Sequence, residues 1–212
     1  MASRKEQRAE ETKHLIISAA EKLFGEKGYE AVTIREIAKE AGCSHTTIYI
    51  YFQDKEALLH ALSMPPLLQL KAVLDTLAAD AFLSADEKLH RLNEKFIRFC
   101  LDHRNMYTIF FEVKSARVDE PDPDLEINRL RNQMFNIIVQ LLKTNLNLPE
   151  GDQLLSCSRI YFFMLRGIVG TYTHSEESVD SIMSRLSLTF DDAFEALLFG
   201  FGKQINERRV ES

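Results

Sequence analysis

The chain has no tryptophan and only three cysteines, eight glycines and five prolines in 212 residues. Each shortage excludes something. Cys43, Cys100 and Cys157 are odd in number and show no C-x-x-C spacing, which argues against a disulfide framework and against a thiolate metal site. So little Gly and Pro, with no low-complexity tract, excludes collagen-like and disordered chains. Long hydrophobic runs are also missing. The longest stretch free of Asp, Glu, Lys and Arg covers residues 57–70 and contains Pro65 and Pro66, short of the ~20 apolar residues of a membrane span. Residues 1–13 are charged rather than apolar, and the last three residues match no lipidation box, so a cytoplasmic protein with no membrane attachment is expected. Strand signals are absent too: no alternation of apolar and polar residues persists between Asn-Gly or Asp-Gly turns.

What remains is a chain of ordinary globular composition, 45% hydrophobic and 27% charged, with helical periodicity throughout. Leu15, Ile16, Ala19, Ala20, Leu23 and Phe24 form one apolar stripe, with Gly25 and Gly28 where that helix would end. Thr33-Ile34-Arg35-Glu36 is a capping box that opens a short second helix carrying Ile34, Ile37, Ala38 and Ala41 on one face and ending at Gly42. Ser44 caps a third helix running to Phe52, and Asp54 caps a fourth that starts at Lys55 and meets Pro65-Pro66, which should break or kink it. Further amphipathic helices are expected over 67–79, 84–103, 106–115, 122–146, 151–174 and 178–201. Ser84-Ala85-Asp86-Glu87 is a second capping box, and Asp122-Pro123 reads as a cap followed by a proline at the first helical position. The fold class is all-α, with eight to ten helices.

The second and third helices, joined by the tight turn Ala41-Gly42-Cys43, form a helix-turn-helix. On the third, Ile48 and Phe52 are one turn apart and point inward, which leaves His45, Thr46, Tyr49 and Ile50 on the outward arc. That arc, polar and aromatic, suits a major groove.

The run Thr33-Ile34-Arg35-Glu36-Ile37-Ala38, then Ala41-Gly42-Cys43-Ser44, Thr47-Ile48-Tyr49-Ile50-Tyr51-Phe52 and Asp54-Lys55-Glu56-Ala57-Leu58 resembles the DNA-binding domain of TetR-family transcriptional regulators. The likeness covers roughly residues 10 to 60. It implies a three-helix DNA-binding domain, taken as residues 1–55, and a larger helical ligand-sensing and dimerisation domain, residues 56–212. It also implies a homodimer on a double-stranded DNA operator and ligand-dependent release, with repression as the family default. Thr33, Tyr49 and Lys55 match family positions that touch the DNA backbone, in keeping with free amides at a helix start, a phenolic donor and a positive charge. Ser44, His45, Thr46 and Thr47 lead the recognition helix and are candidates for base-edge readout, His45 foremost. Tyr51 either supports a phosphate contact or packs, and Ser44 caps its helix in any case.

Charge gives no support to DNA binding. Residues 1–58 hold nine Lys and Arg against ten Asp and Glu, so the basic footprint usual for a DNA binder is missing from composition.

In the C-terminal half, Phe96, Phe99, Cys100, His103, Tyr107, Phe110, Met134, Phe135, Tyr161 and Met164 are large or soft side chains at helical spacing. Singly, each is a core residue. Together they suit the wall of a small-molecule pocket, and an apolar or amphipathic effector is expected. The run 96–111 is similar to the fifth and sixth helices of some TetR-family sensor domains. The last two helices are apolar on more than one face, and Gly167 and Gly170 allow close approach, which fits a four-helix dimer interface. No metal-binding or cofactor motif is present: there is no H-E-x-x-H, no Gly-x-Ser-x-Gly, no phosphate loop and no dinucleotide fingerprint, so an enzyme is not expected. A ligand-independent DNA-binding structural protein is the other reading, and a solid, pocket-free C-terminal core would favour it.

Overall fold

The computed structural model describes residues 4–211, with side chains as far as Arg208. All the regular structure among them is helical. α1 (Arg4–Lys27) buries Ile16, Ala19, Ala20, Leu23 and Phe24. It stops where Gly28 takes φ +79°, a left-handed conformation open to a residue without Cβ, and returns its N–H to the Phe24 carbonyl at 2.9 Å. α2 (Ile34–Glu40) and α3 (His45–Tyr51) follow, then α4 (Lys55–Ala79), α5 (Ala85–Asp102), a 3-10 turn (Arg104–Met106), α6 (Tyr107–Phe111), α7 (Glu126–Leu146), α8 (Asp152–Tyr172) and α9 (Val179–Glu211).

The chain divides into two compact units. One takes the residues up to Gln69 together with Asn105–Ala116, and the other takes Leu70–Arg104 and the residues from Arg117 onward. This differs from a split after residue 55. The first half of α4 buries Leu58, Leu59 and Leu62, and a segment 105–116 from far along the sequence joins the same unit. In the second unit α5 packs against α7, α8 and α9, and α7 against α8. Its core is made by the inward stripes of these helices, including Leu92, Phe96, Leu130, Met134, Leu165 and Phe190. The α5 stripe is placed by the expected capping box: the Glu87 N–H donates to Ser84 Oγ at 3.2 Å, and the Ser84 N–H to Glu87 Oε2 at 2.8 Å.

Three expectations are corrected. Pro65 and Pro66 do not break the fourth helix, which is continuous from Lys55 to Ala79. Both prolines hold φ near the helical value, and although the carbonyls four residues earlier lose their donors, burial of Leu58, Leu62, Met64, Leu67, Leu70 and Leu74 on either side favours one helix. α7 starts at Glu126, not at Asp122-Pro123, and its N-cap Leu125 offers no side-chain bond. α9 runs ten residues beyond residue 201. By length and composition α4 could cross a bilayer, yet 44% of its most apolar window is buried inside the protein, as in a core helix.

Next to the prolines lies a defect. Ser63 is fully buried and its Oγ has no hydrogen-bond partner. A buried hydroxyl left unbonded destabilises by about 1–3 kcal/mol. Ser63→Ala is therefore expected to raise stability by about 1 kcal/mol in urea unfolding, whereas an equal loss would reveal a partner for the hydroxyl.

Candidate nucleic-acid interface

In the first unit α3 is held chiefly against α2. α2 packs on both α1 and α3, through buried Ile37 and Ala38, while Ile48 and Phe52 of the third helix segment are buried in turn. The turn between α2 and α3 closes with Ala41 N–H to Ile37 O at 2.9 Å and Cys43 N–H to Ala38 O at 2.9 Å, with Gly42 at φ +67°. The sequence wrote this turn locally: no other residue type takes that angle so readily.

Both helix starts are capped as the sequence implies. At α2, the Glu36 N–H donates to Thr33 Oγ1 at 3.3 Å, while the Thr33 N–H and hydroxyl both donate to Glu36 Oε2 at 2.9 Å. At α3, the Thr47 N–H donates to Ser44 Oγ at 3.0 Å, and the two hydroxyls lie 2.8 Å apart. Thr33 and Ser44 are exposed, so caps and surface coincide.

The structure brings His45, Thr46 and Tyr49 together on one solvent-facing arc of α3. Thr47 and Tyr51, one turn apart, lie on its half-buried flank. Ile50 completes the arc with 74% exposure, an apolar side chain that buries almost nothing in the chain itself. Its outward position follows from the 100° step per residue, but its chemistry drew no attention among hydroxyls and a histidine. Lys55 is placed differently from the others. Its ammonium turns inward, donating to the carbonyls of Tyr29 at 2.6 Å and Val32 at 2.9 Å and lying 4.2 Å from the centre of the Tyr29 ring. Two of its three N–H donors are thus committed to the protein.

The charge balance also resolves spatially. The acidic residues of α2 are turned to lysines of α1: Lys22 meets Glu40 at 2.6 Å and Lys27 meets Glu36 at 3.0 Å. Arg35 and Lys39 of the same helix remain exposed, and α3 carries no charged residue. The Thr33 backbone N–H first, and then Lys27 and the Thr33 hydroxyl, hold the Glu36 carboxyl down to about 2.

The model of the tetR family of bacterial regulatory proteins matches residues 16–62, which covers the second half of α1, the two capped helices α2 and α3 and the start of α4. Over that segment the chain is similar to the DNA-binding part of tetR-family regulators. The helix-turn-helix regulator HbdR of Aromatoleum sp. (strain CIB) is 52% identical over 67 residues, 32% of this chain and 26% of that regulator's length. The match therefore spans about a quarter of HbdR. Solved structures extend the likeness of fold to most of the chain. The FadR regulator of Bacillus subtilis in complex with stearoyl-CoA superposes with TM-score 0.61 at 23% identity, over 87% of this chain and 97% of that one. The ketosteroid transcriptional regulator of Mycobacterium tuberculosis superposes with TM-score 0.66 at 19% identity, over 89% and 93%. The relatives are transcriptional regulators rather than enzymes.

The expected effector residues are divided between the units. Phe96, Phe99, Cys100, His103, Met134, Phe135, Tyr161 and Met164 belong to the second unit, and Tyr107 and Phe110 to the first. All are buried except the half-buried Phe99, His103 and Met164. Phe135 packs edge-on against Phe162, with centroids 5.7 Å apart, and Tyr161 lies 4.8 Å from Phe194. Two polar residues that the sequence reading passed over sit in these cores: Asn93 on α5 and Arg131 on α7, 3% and 6% exposed. Each falls at a core angle within an apolar stripe, and that was the available signal. Burial, reinforced by Arg166, pulls the Arg131 guanidinium down to about 10.

The Glu36 carboxyl gives a pH test. Its pKa is depressed, so its contribution is complete above the unfolded carboxyl range near ~4.3 and is lost as pH falls toward about 2. Glu36→Gln is expected to flatten the acid limb of a Tm-against-pH curve between those values, with little change at pH 7 in the shape of the curve. Parallel acid limbs in the two proteins would show that the capping box does not hold the carboxyl.

Proposed function

We propose that this chain is a ligand-responsive repressor that binds a palindromic operator as a homodimer in the cytoplasm and is released by a small apolar or amphipathic effector. The observation that carries the reading is the uncharged, exposed arc of α3. His45, Thr46, Tyr49 and Ile50 give donors, acceptors and an apolar group to base edges, with Ile50 suited to a thymine methyl. The α2 start at Thr33 and the exposed Arg35 and Lys39 supply the positioning contacts to phosphate.

A second copy is supported by the outer faces of the last two helices. Ile160 and Phe163 on α8, and Leu188 and Phe199 on α9, are exposed apolar residues at helical spacing. A Cβ at Gly167 or Gly170 would meet nothing within 4 Å in this chain, so the space beside them is open to a partner helix. A dimer presents two recognition helices to half-sites one helical turn apart, ~34–36 Å. For the effector, the buried aromatics supply apolar wall and the buried cation Arg131 a polar element, a combination that favours an amphipathic molecule. The structures of FadR with stearoyl-CoA and of the ketosteroid regulator are of the same fold. α4, shared by both units, is the covalent route by which filling the second could move the first.

Selection from a randomised duplex library is expected to enrich a two-fold symmetric sequence. His45→Ala should then relax base preference at one position per half-site by about 1–3 kcal/mol of discrimination. The salt slope should stay below that of about eight phosphates per protomer, at ~0.9 each. Enrichment of nothing by the wild type, with His45→Ala indistinguishable from it, would refute the reading. Phe163→Arg with Leu188→Glu is expected to sediment as a monomer and to lose at least about tenfold in operator affinity. A dimer surviving both changes would place the interface elsewhere.

A further inference from the structure

We propose that the groove between α5 and α9 is a second ligand site, which takes a compact organic cation bearing a carbonyl or hydroxyl acceptor and one apolar face. This goes beyond the operator and effector reading and does not depend on it. Two adjoining hollows of about 410 and 390 Å³ lie along the groove, share His90, Asn93, Glu94 and Asp191, and belong entirely to the second unit. Each is large enough for a small molecule. Of the aromatic and soft residues expected to meet the effector, Tyr161 alone lines either of them.

Asn93 is the floor. It is 3% exposed, and its Oδ1 accepts the hydroxyl of fully buried Tyr161, from α8, at 2.9 Å. That bond turns the carbonyl end of the carboxamide toward α8 and leaves the NH2 end toward the hollows, where no acceptor among the described residues takes it. Burial pushes the Tyr161 phenol well above its ordinary range, so it remains a donor and keeps the amide oriented. An amide donor held in place by that bond and reachable from the hollow can take an acceptor from outside.

The rim selects the charge. Arg98 pairs with Asp180 at 2.8 Å at one end, and His90 with Asp191 at 3.0 Å in the middle. Glu94 adds a further carboxylate to both hollows, so the carboxylates outnumber the fixed cations and an anion is repelled. Ile97, Met183 and Phe190 supply the apolar wall. On α9 the groove residues centre about 100° round the helix from the exposed Leu188 and Phe199, so the two faces are largely distinct.

Titration calorimetry on the full chain tests this with three probes that share a phenyl ring. Phenylalaninamide has the ammonium and a carbonyl, phenethylamine lacks the carbonyl, and N-acetylphenylalanine replaces the ammonium by a carboxylate. Phenylalaninamide is expected to bind at least about tenfold more tightly than either. Ser187→Phe fills the groove from a half-buried rim position without touching the Asn93–Tyr161 bond, and should weaken phenylalaninamide by at least about tenfold. Asn93→Ala, if folded by circular dichroism, should erase the difference between phenylalaninamide and phenethylamine. No binding of phenylalaninamide up to about 10 mM, equal binding of the carboxylate, or indifference to Ser187→Phe would each overturn the proposal.

Discussion

The first unit is tied together by one half-buried ammonium. Lys55, the first residue of α4, holds the carbonyls of Tyr29 and Val32, which lie in the short connection between α1 and α2 where no helical amide can reach them. Its charge is offset by those two dipoles and by the face of the Tyr29 ring, itself packed 5.2 Å from Phe24. A single side chain therefore ties the start of α4 to the connection between α1 and α2, alongside the Gly28 turn and the Thr33 cap that end and begin those helices. Phosphate anchoring at this residue, as the family pattern implies, is secondary to its work as a strut: only one N–H is left for it.

What is local was legible in the sequence. Thr33 with Glu36 and Ser84 with Glu87 are three residues apart, and both capping boxes form as their spacing implies, because all the partners lie within one turn. The outward arc of α3 follows from the helical step for the same reason. What is non-local was not. Residues 105–116 join a unit whose other members lie before residue 70, and no periodicity announces that. The aromatic stripes were found on their helices, yet their division between two units depends on the same long-range choice. Asn93 was visible as a polar residue in an apolar stripe, but its partner Tyr161 is 68 residues away.

α4 shows how far packing overrides propensity. Two adjacent prolines remove two helical hydrogen bonds, and Ser63 adds an unbonded hydroxyl two residues before them. The helix persists because leucines before and after the prolines are buried in the units at its two ends. Rule-based breaking fails here for a reason that only tertiary burial supplies.

The pairing of Glu36 and Glu40 with lysines of α1 carries a consequence for how such a regulator would find its site. With cations and carboxylates nearly balanced in residues 1–58, and Lys22 and Lys27 turned to Glu40 and Glu36, such a chain would have a weak electrostatic grip on arbitrary duplex, and α3 adds none. Copies of the protein would spend little time idling on the bulk of a chromosome. Discrimination between the intended site and the rest would then rest on contacts to bases, which salt weakens less than contacts to phosphate.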